Sequence, residues 1–234
     1  MTGPAVDRPR IAVLDYGIGN LHSAHKALEK MGADADLTAD ADVVTRADGV
    51  VLPGVGAFGA CMAALRSTGL EGPALDAAAS ARPFLGICVG MQMLFDGSDE
   101  DEHAHGLGVI PGRVEWIPPG VKRPQMQWNR LHLTRPDDPM FAGPMFAGAD
   151  HGPDHGADGY EDRGAWVYFV HSLHGVPADP AVVAATCEYG GVLNAAFRRE
   201  NVFATQFHPE KSGPVGLELL GNFVRVCAAS RASA

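Results

Sequence analysis

Up to Phe95 the chain repeats one pattern three times: a short apolar run, a glycine-rich turn, then apolar residues at helical spacing. Ile11 to Asp15 (I-A-V-L-D) ends in Tyr16-Gly17-Ile18-Gly19-Asn20, and Leu21, Ala24, Leu28 and Met31 then recur until Gly32, a plausible helix stop. Gly49 to Leu52 ends at Pro53-Gly54-Val55-Gly56 and leads into the helical pattern of Phe58 to Leu65. Pro83 to Cys88 ends at Cys88-Val89-Gly90 and leads into Met91, Leu94 and Phe95. Strands with no polar alternation are buried on both faces, so the pattern predicts parallel β-α-β units with helices on both sides of a sheet.

After Phe95 the pattern changes. Arg113–Ile117, Asn129–Thr134, Trp166–His171, Val182–Tyr189, Asn194–Arg198 and Val202–Phe207 read as strands separated by Gly, Pro and Asp turns. They are expected to join the same sheet as antiparallel or mixed additions. A last helix carries Leu219, Leu220, Phe223, Val224 and Cys227 on one face. The expectation is one α/β domain with a central mixed, mostly parallel sheet, spanning 11–229 between a flexible N-terminus (1–10) and a tail (230–234). Between about 140 and 165, M-F-A-G-P is followed by M-F-A-G-A and D-H-G-P by D-H-G-A. This segment reads as an exposed, mobile, solvated insertion. Its Asp150/His151 and Asp154/His155 pairs have only Gly and Pro around them, which give metal ligands no rigid frame.

Composition narrows the function. Of 234 residues, 18 are basic and 28 acidic, for a net charge of −10, and no Lys/Arg block occurs. A nucleic-acid footprint is absent and polyanionic partners are not expected. Cys61, Cys88, Cys187 and Cys227 form no C-x-x-C pair, which fits a reducing compartment better than a disulfide framework or a zinc site. With no leading apolar segment and no long apolar run, a cytoplasmic location is expected. No metal or cofactor is expected.

Cys88 lies between two glycines in Gly86-Ile87-Cys88-Val89-Gly90, where a strand passes into a helix. Glycines two residues to either side permit the sharp strand-turn-helix elbow that exposes a nucleophile, and a helix N-terminus favours the thiolate. The other three cysteines lack such flanks and read as core residues. A base is supplied by Thr205-Gln206-Phe207-His208-Pro209-Glu210, where a strand delivers His208 and Glu210 stands close enough to orient its ring. His208 would move the thiol proton to a leaving amine, and Glu210 would fix the tautomer. An oxyanion would need the Val89 N–H and a second donor, for which Pro53-Gly54-Val55-Gly56 is the candidate loop.

These segments resemble class I (triad) glutamine amidotransferases, and the match covers essentially the whole chain. G-I-C-V-G-M-Q and F-H-P-E carry the resemblance; I-A-V-L-D-Y-G-I-G-N-L, L-P-G-V-G-A-F, M-Q-W-N and Y-F-V-H-S narrow it to one branch. The resemblance implies a flavodoxin-like fold, glutamine hydrolysis through a cysteinyl thioester, and ammonia delivery to a separate (β/α)8 cyclase subunit in a heterodimer. It implies Cys88, His208 and Glu210 as the triad and Val55 and Val89 as oxyanion donors. Gly56, Gln92, Glu100 and the Ser172-Leu173 backbone would line the glutamine pocket, and Asn20, Trp128 and Tyr168 would lie near the partner. Glu100 sits in the acidic run Asp99 to Glu102, and Trp128 and Tyr168 also suit ordinary packing. Gln127 stands where the family carries glycine, so a loop expected to use glycine's freedom bears a side chain.

Three other readings stay open. One is the glutaminase of another synthase, serving guanylate, anthranilate or pyridoxal phosphate formation; Asp15-Tyr16-Gly17 and Leu52-Pro53-Gly54 argue against it. A cysteine peptidase or chaperone of similar architecture would not need Glu210. A catalytically dead subunit would normally have lost a triad member, and all three residues are present.

Overall fold

In the computed structural model, residues 8–147 and 165–232 are described. The three early apolar runs become β1 (Arg10–Leu14), β3 (Gly49–Gly54) and β4 (Phe84–Cys88), and every residue of β3 and β4 is buried. The helical patterns become α1 (Leu21–Lys30), α3 (Phe58–Ser67) and α5 (Val89–Gln92). Helix α5 has only one turn, shorter than the pattern suggested; single turns carry the chain on through Phe95. The macrodipole of so short a helix adds little at Cys88. Elements that the apolar pattern does not mark also form: the polar β2 (Asp34–Thr38), the short α2 (Ala41–Arg46) and the alanine-rich α4 (Glu71–Ala79).

Later strands are β5 (Gly97–Ser98), β6 (Asp101–His105), β7 (Gly112–Trp116), β8 (Gln125–Arg130), β9 (His132–Leu133), β10 (Trp166–His171), β11 (Leu173–Pro177), β12 (Val183–Glu188), β13 (Val192–Arg199) and β14 (Val202–Thr205). The main sheet runs β2-β1-β3-β4-β14-β13-β12-β9. Its pairs from β2 through β14 are parallel and the rest antiparallel, as expected of a mixed, mostly parallel sheet. The expectation that all late strands join it is corrected. β8 and β10 form a two-stranded ribbon, and β11-β7-β5-β6 a separate sheet. The chain changes partners at Ser172, since β10 pairs with β8 while β11 pairs with β7. Gly175 lets β11 cross the main core: a β-carbon there would come within 2.5 Å of Phe95 and 2.9 Å of Phe197.

Helix α6 (Gly213–Ala232) buries Leu219, Leu220, Phe223, Val224 and Cys227, and it runs into the segment expected as a tail. Part of the repeat segment is also corrected. Met140, Phe141 and Phe146 are buried, and Asn222 on α6 donates to the carbonyls of Met140 and Ala142 at 2.8 Å each. Apolar side chains in a glycine-rich stretch thus pack as core. The Asp150/His151 and Asp154/His155 pairs lie outside the described residues. Gln127 lies within strand β8 and has no positive φ, so its position makes no demand on glycine's freedom.

Candidate active site

Three adjacent parallel strands end together. Register pairs Gly54 with Cys88 and Thr205 with Ile87, so the loops after β3, β4 and β14 meet at the carboxyl edge of the sheet. In open α/β sheets this edge is where ligands bind, near the point where strand order reverses. Here the reversal falls at β1, which lies between β2 and β3.

At the tip of β4, Cys88 has φ 55° and ψ −114°, a left-handed strain held by its surroundings. The flanking glycines permit it. A β-carbon on Gly90 would collide with the Leu52 carbonyl, and one on Gly86 would lie 3.0 Å from the Met91 Cα. Val89, the first residue of α5, belongs to a first turn whose N–H groups have no acceptor within the helix.

His208 follows β14 and is 2% exposed. Its backbone N–H donates to Tyr168 O at 3.1 Å, and Ser212 Oγ donates to its carbonyl at 2.6 Å, which fixes the turn between β10 and α6. The imidazole Nδ1 lies 2.8 Å from Glu210 Oε1 and the ring is also within hydrogen-bonding reach of Cys88. Burial alone would disfavour the imidazolium. The hydrogen bonds to Cys88 and Glu210 and their negative charge outweigh it and raise the pKa to about 9. Burial works against the Glu210 carboxylate too, but bonding to His208, the charge of that ring and the Asn20 amide hold its pKa below the usual range.

A cleft of about 370 Å³ opens beside the thiol, lined by Val55, Gly56, Gln92, Glu100, Ser172 and Leu173 together with Cys88, Val89 and His208. The structure therefore brings together the residues anticipated for nucleophile, base, oxyanion donors and substrate pocket. Gln92 points its amide to Leu173 O at 3.4 Å and to Gln206 Oε1 at 3.1 Å. Glu100 Oε2 accepts from Phe58 N at 2.7 Å, capping α3 in place of Ala57. Asn20, anticipated at the partner face, lies against Glu210 with Nδ2 3.1 Å from Oε1. Trp128 and Tyr168 pair across the β8–β10 ribbon with ring centroids 6.1 Å apart, Trp128 being 49% exposed.

Sequence reasoning missed several residues in the cleft wall and behind it. Gln206 is fully buried, with Nε2 3.8 Å from the Cys88 sulfur. His171 donates from Nδ1 to Leu173 O at 2.7 Å, and burial lowers its pKa to about 4, so it is neutral. Pro124, Val170 and Lys211 complete the wall. Tyr16 and Cys61 support it from below: Tyr16 donates to Pro53 O at 2.6 Å and the Cys61 thiol to Val55 O at 3.2 Å. Among the described residues, no group of three or more His, Cys, Asp or Glu could hold a metal, and no helix is long and apolar enough to cross a membrane.

Residues 12–227 match the family model described as "Glutamine amidotransferase class-I". The chain is 47% identical over 222 residues to the imidazole glycerol phosphate synthase subunit HisH of a Synechococcus strain, covering 94% of each chain. It is 45% identical to that of Methanothermobacter thermautotrophicus, covering 94% of this chain and all of the other. Among solved structures it resembles a putative GMP synthase subunit from Thermoplasma acidophilum (TM-score 0.67, 20% identity, 97% of each chain). It also resembles PurLQS from Thermotoga maritima (TM-score 0.64, 20% identity, 95% and 98% covered). With a strained cysteine, a buried histidine and a carboxylate at one sheet edge and a family match spanning nearly its whole length, the chain belongs to the class I glutamine amidotransferases.

Proposed function

We propose that the chain is the glutaminase subunit of imidazole glycerol phosphate synthase. It hydrolyses glutamine to glutamate and ammonia at Cys88 and passes the ammonia to a cyclase subunit, HisF. That subunit makes imidazole glycerol phosphate and an aminoimidazole carboxamide ribotide in histidine biosynthesis. The observation that carries the chemistry is His208, buried between Cys88 and Glu210 at the end of β14. A second cleft of about 360 Å³ lies at the other end of β14, lined by Arg199, Glu200 and Asn201; it matches the first in volume but offers no nucleophile.

The Cys88 thiolate adds to the side-chain carbonyl of glutamine, and the N–H groups of Val55 and Val89 stabilise the oxyanion. His208 gives its proton to the amide nitrogen as the carbon–nitrogen bond breaks, so ammonia leaves and a thioester remains. Water then adds, His208 takes its proton, and collapse returns the thiolate and releases glutamate. Glu210 balances the imidazolium charge at each stage in which His208 carries the proton. Glu100 and the backbone at Ser172-Leu173 bind the amino and carboxylate groups of the substrate.

For the partner, the support is the outer face of the β8–β10 ribbon. Met126, Trp128, Trp166 and Tyr168 share that face by register, and the first three are exposed. Exposed aromatic clusters of this kind favour a protein partner. β10 also bonds the His208 turn directly, so the ribbon joins this face to the triad. The test is glutamate release by the chain alone, with cyclase, and with cyclase plus acceptor nucleotide. Cys88→Ala should abolish glutamine hydrolysis while ammonia-dependent synthesis continues. Hydrolysis surviving in Cys88→Ala would remove the nucleophile assignment.

A further inference from the structure

Asn20 immediately precedes α1 and occupies its N-cap. Asparagine is among the best residues there because its side-chain oxygen accepts from the second or third N–H of the helix, an interaction worth about 1 kcal/mol. Asn20 makes no such bond, and its backbone, at φ −84° and ψ 52°, is not in the extended capping geometry. Its amide is used elsewhere. Nδ2 donates to Glu210 Oε1 at 3.1 Å, the same oxygen that receives His208 Nδ1 at 2.8 Å. The Glu210 side chain is 2% exposed, so solvent contributes little to fixing its orientation.

The loop that delivers Asn20 is set for the purpose. Gly17 and Gly19 have φ of 81° and 147°, and Asp15 Oδ1 accepts from Gly17 N at 3.1 Å. A carboxylate oxygen held by one donor can swing about the bond to its side chain; held by two from different elements, it cannot do so without losing one of them. The geometry points to Asn20 as a positioning residue of the triad, whose amide locks the Glu210 carboxylate against His208 and leaves α1 without its side-chain cap. This rests on the glutaminase reading above.

Serine separates the two roles: it caps a helix as well as asparagine does and is too short to bridge to Glu210. In the complete complex at saturating cyclase, Asn20→Ser should keep or raise the melting temperature. It should lower kcat for glutamine hydrolysis roughly tenfold or more, the usual cost of losing an orienting partner, with KM within about twofold. In a Glu210→Gln background the same substitution should cause little further loss, because its effect passes through the carboxylate. Three results would overturn the proposal: unchanged kcat in Asn20→Ser, a full additional loss in the double variant, or a drop in melting temperature that tracks the loss of activity. Failure of the glutaminase reading looks different, since the unsubstituted complex would then release no glutamate from glutamine.

Discussion

At Cys88 the backbone does what the side chain alone cannot, since φ 55° turns the thiol out of the sheet and towards His208. The other three thiols are buried without such a turn. Burial pushes Cys187 up to about 12 and raises Cys61 and Cys227 as well, which keeps all three as thiols at neutral pH. A glutamine analogue with an electrophilic carbon at the amide position should therefore label Cys88 and leave the others unmodified, as read by peptide mass spectrometry; equal labelling of Cys61 would mean access rather than activation. His208→Ala should lower glutamine hydrolysis by about 10² to 10⁴, the usual span for a lost general acid–base group. Glu210→Gln should be milder, because it acts through its neighbour; the reverse order, with the fold intact, would exchange their roles. The triad was legible because a G-x-C-x-G elbow and an H-P-E turn are local devices written in consecutive residues. Gln206, His171 and the Asn20–Glu210 bond were not, since their meaning depends on partners that only the folded sheet brings near. Gly54 adds a warning of the same kind. A β-carbon there would lie 2.5 Å from Gly90 N and 3.0 Å from the Tyr16 hydroxyl, so Gly54→Ala would damage the elbow whatever the neighbouring peptide does in catalysis.

Elements, more than residues, decide which face meets a partner. Strand β10 alternates exposed and buried, with Val167, Phe169 and His171 inward and Trp166 and Tyr168 on the outer side. Alternation of period two fixes which side chains share a face, but it does not say which strand lies alongside. That is why β7, β10, β12, β13 and β14 were legible one by one, while β5, β6 and β11 were missed, the expected strand Asn129–Thr134 proved to be the end of β8 followed by β9, and the division into a main sheet, a ribbon and a four-stranded sheet was not legible. The parallel half was easier, because buried β-α-β units have few other solutions. Similarly, polar β2 and short α2 gave no apolar pattern to read. On the ribbon, Met126 and Trp128 are 62% and 49% exposed, and Trp128 meets Tyr168 edge to face. If this is the cyclase-binding face, Trp128→Ala should weaken the complex roughly 10- to 30-fold, in the range of an aromatic hot spot. Titration calorimetry against the cyclase measures it, with activity of the uncomplexed chain unchanged; an unaltered Kd would move the interface elsewhere.

For the molecule as a whole, two buried histidines carry opposite shifts, and stability must depend on pH through both. The pKa of His208 is raised to about 9, against about 6.5 for an unfolded histidine. Between these values the native state holds more protons on His208 than the unfolded chain does, so the stabilisation from its bonds to Cys88 and Glu210 is complete below about 6.5 and is lost as pH rises towards 9. His171 is the reverse case. Its pKa is lowered to about 4, chiefly by burial, and between about 6.5 and 4 the unfolded chain binds the proton that the native state refuses. Stability therefore falls as pH drops through that window. Each histidine removes stability on one side of about pH 6.5, and together they favour a maximum near it. Other groups titrate as well, so the informative quantity is the difference between each variant and the parent. Melting temperatures from pH 5 to 9.5 should show the alkaline decline flattened in His208→Gln with the acid side retained. His171→Gln should flatten the acid side and retain the alkaline decline, even though losing its bond to Leu173 lowers the whole curve. Curves that stay parallel to the parent across the range would show that neither histidine is held in the charge state its surroundings dictate.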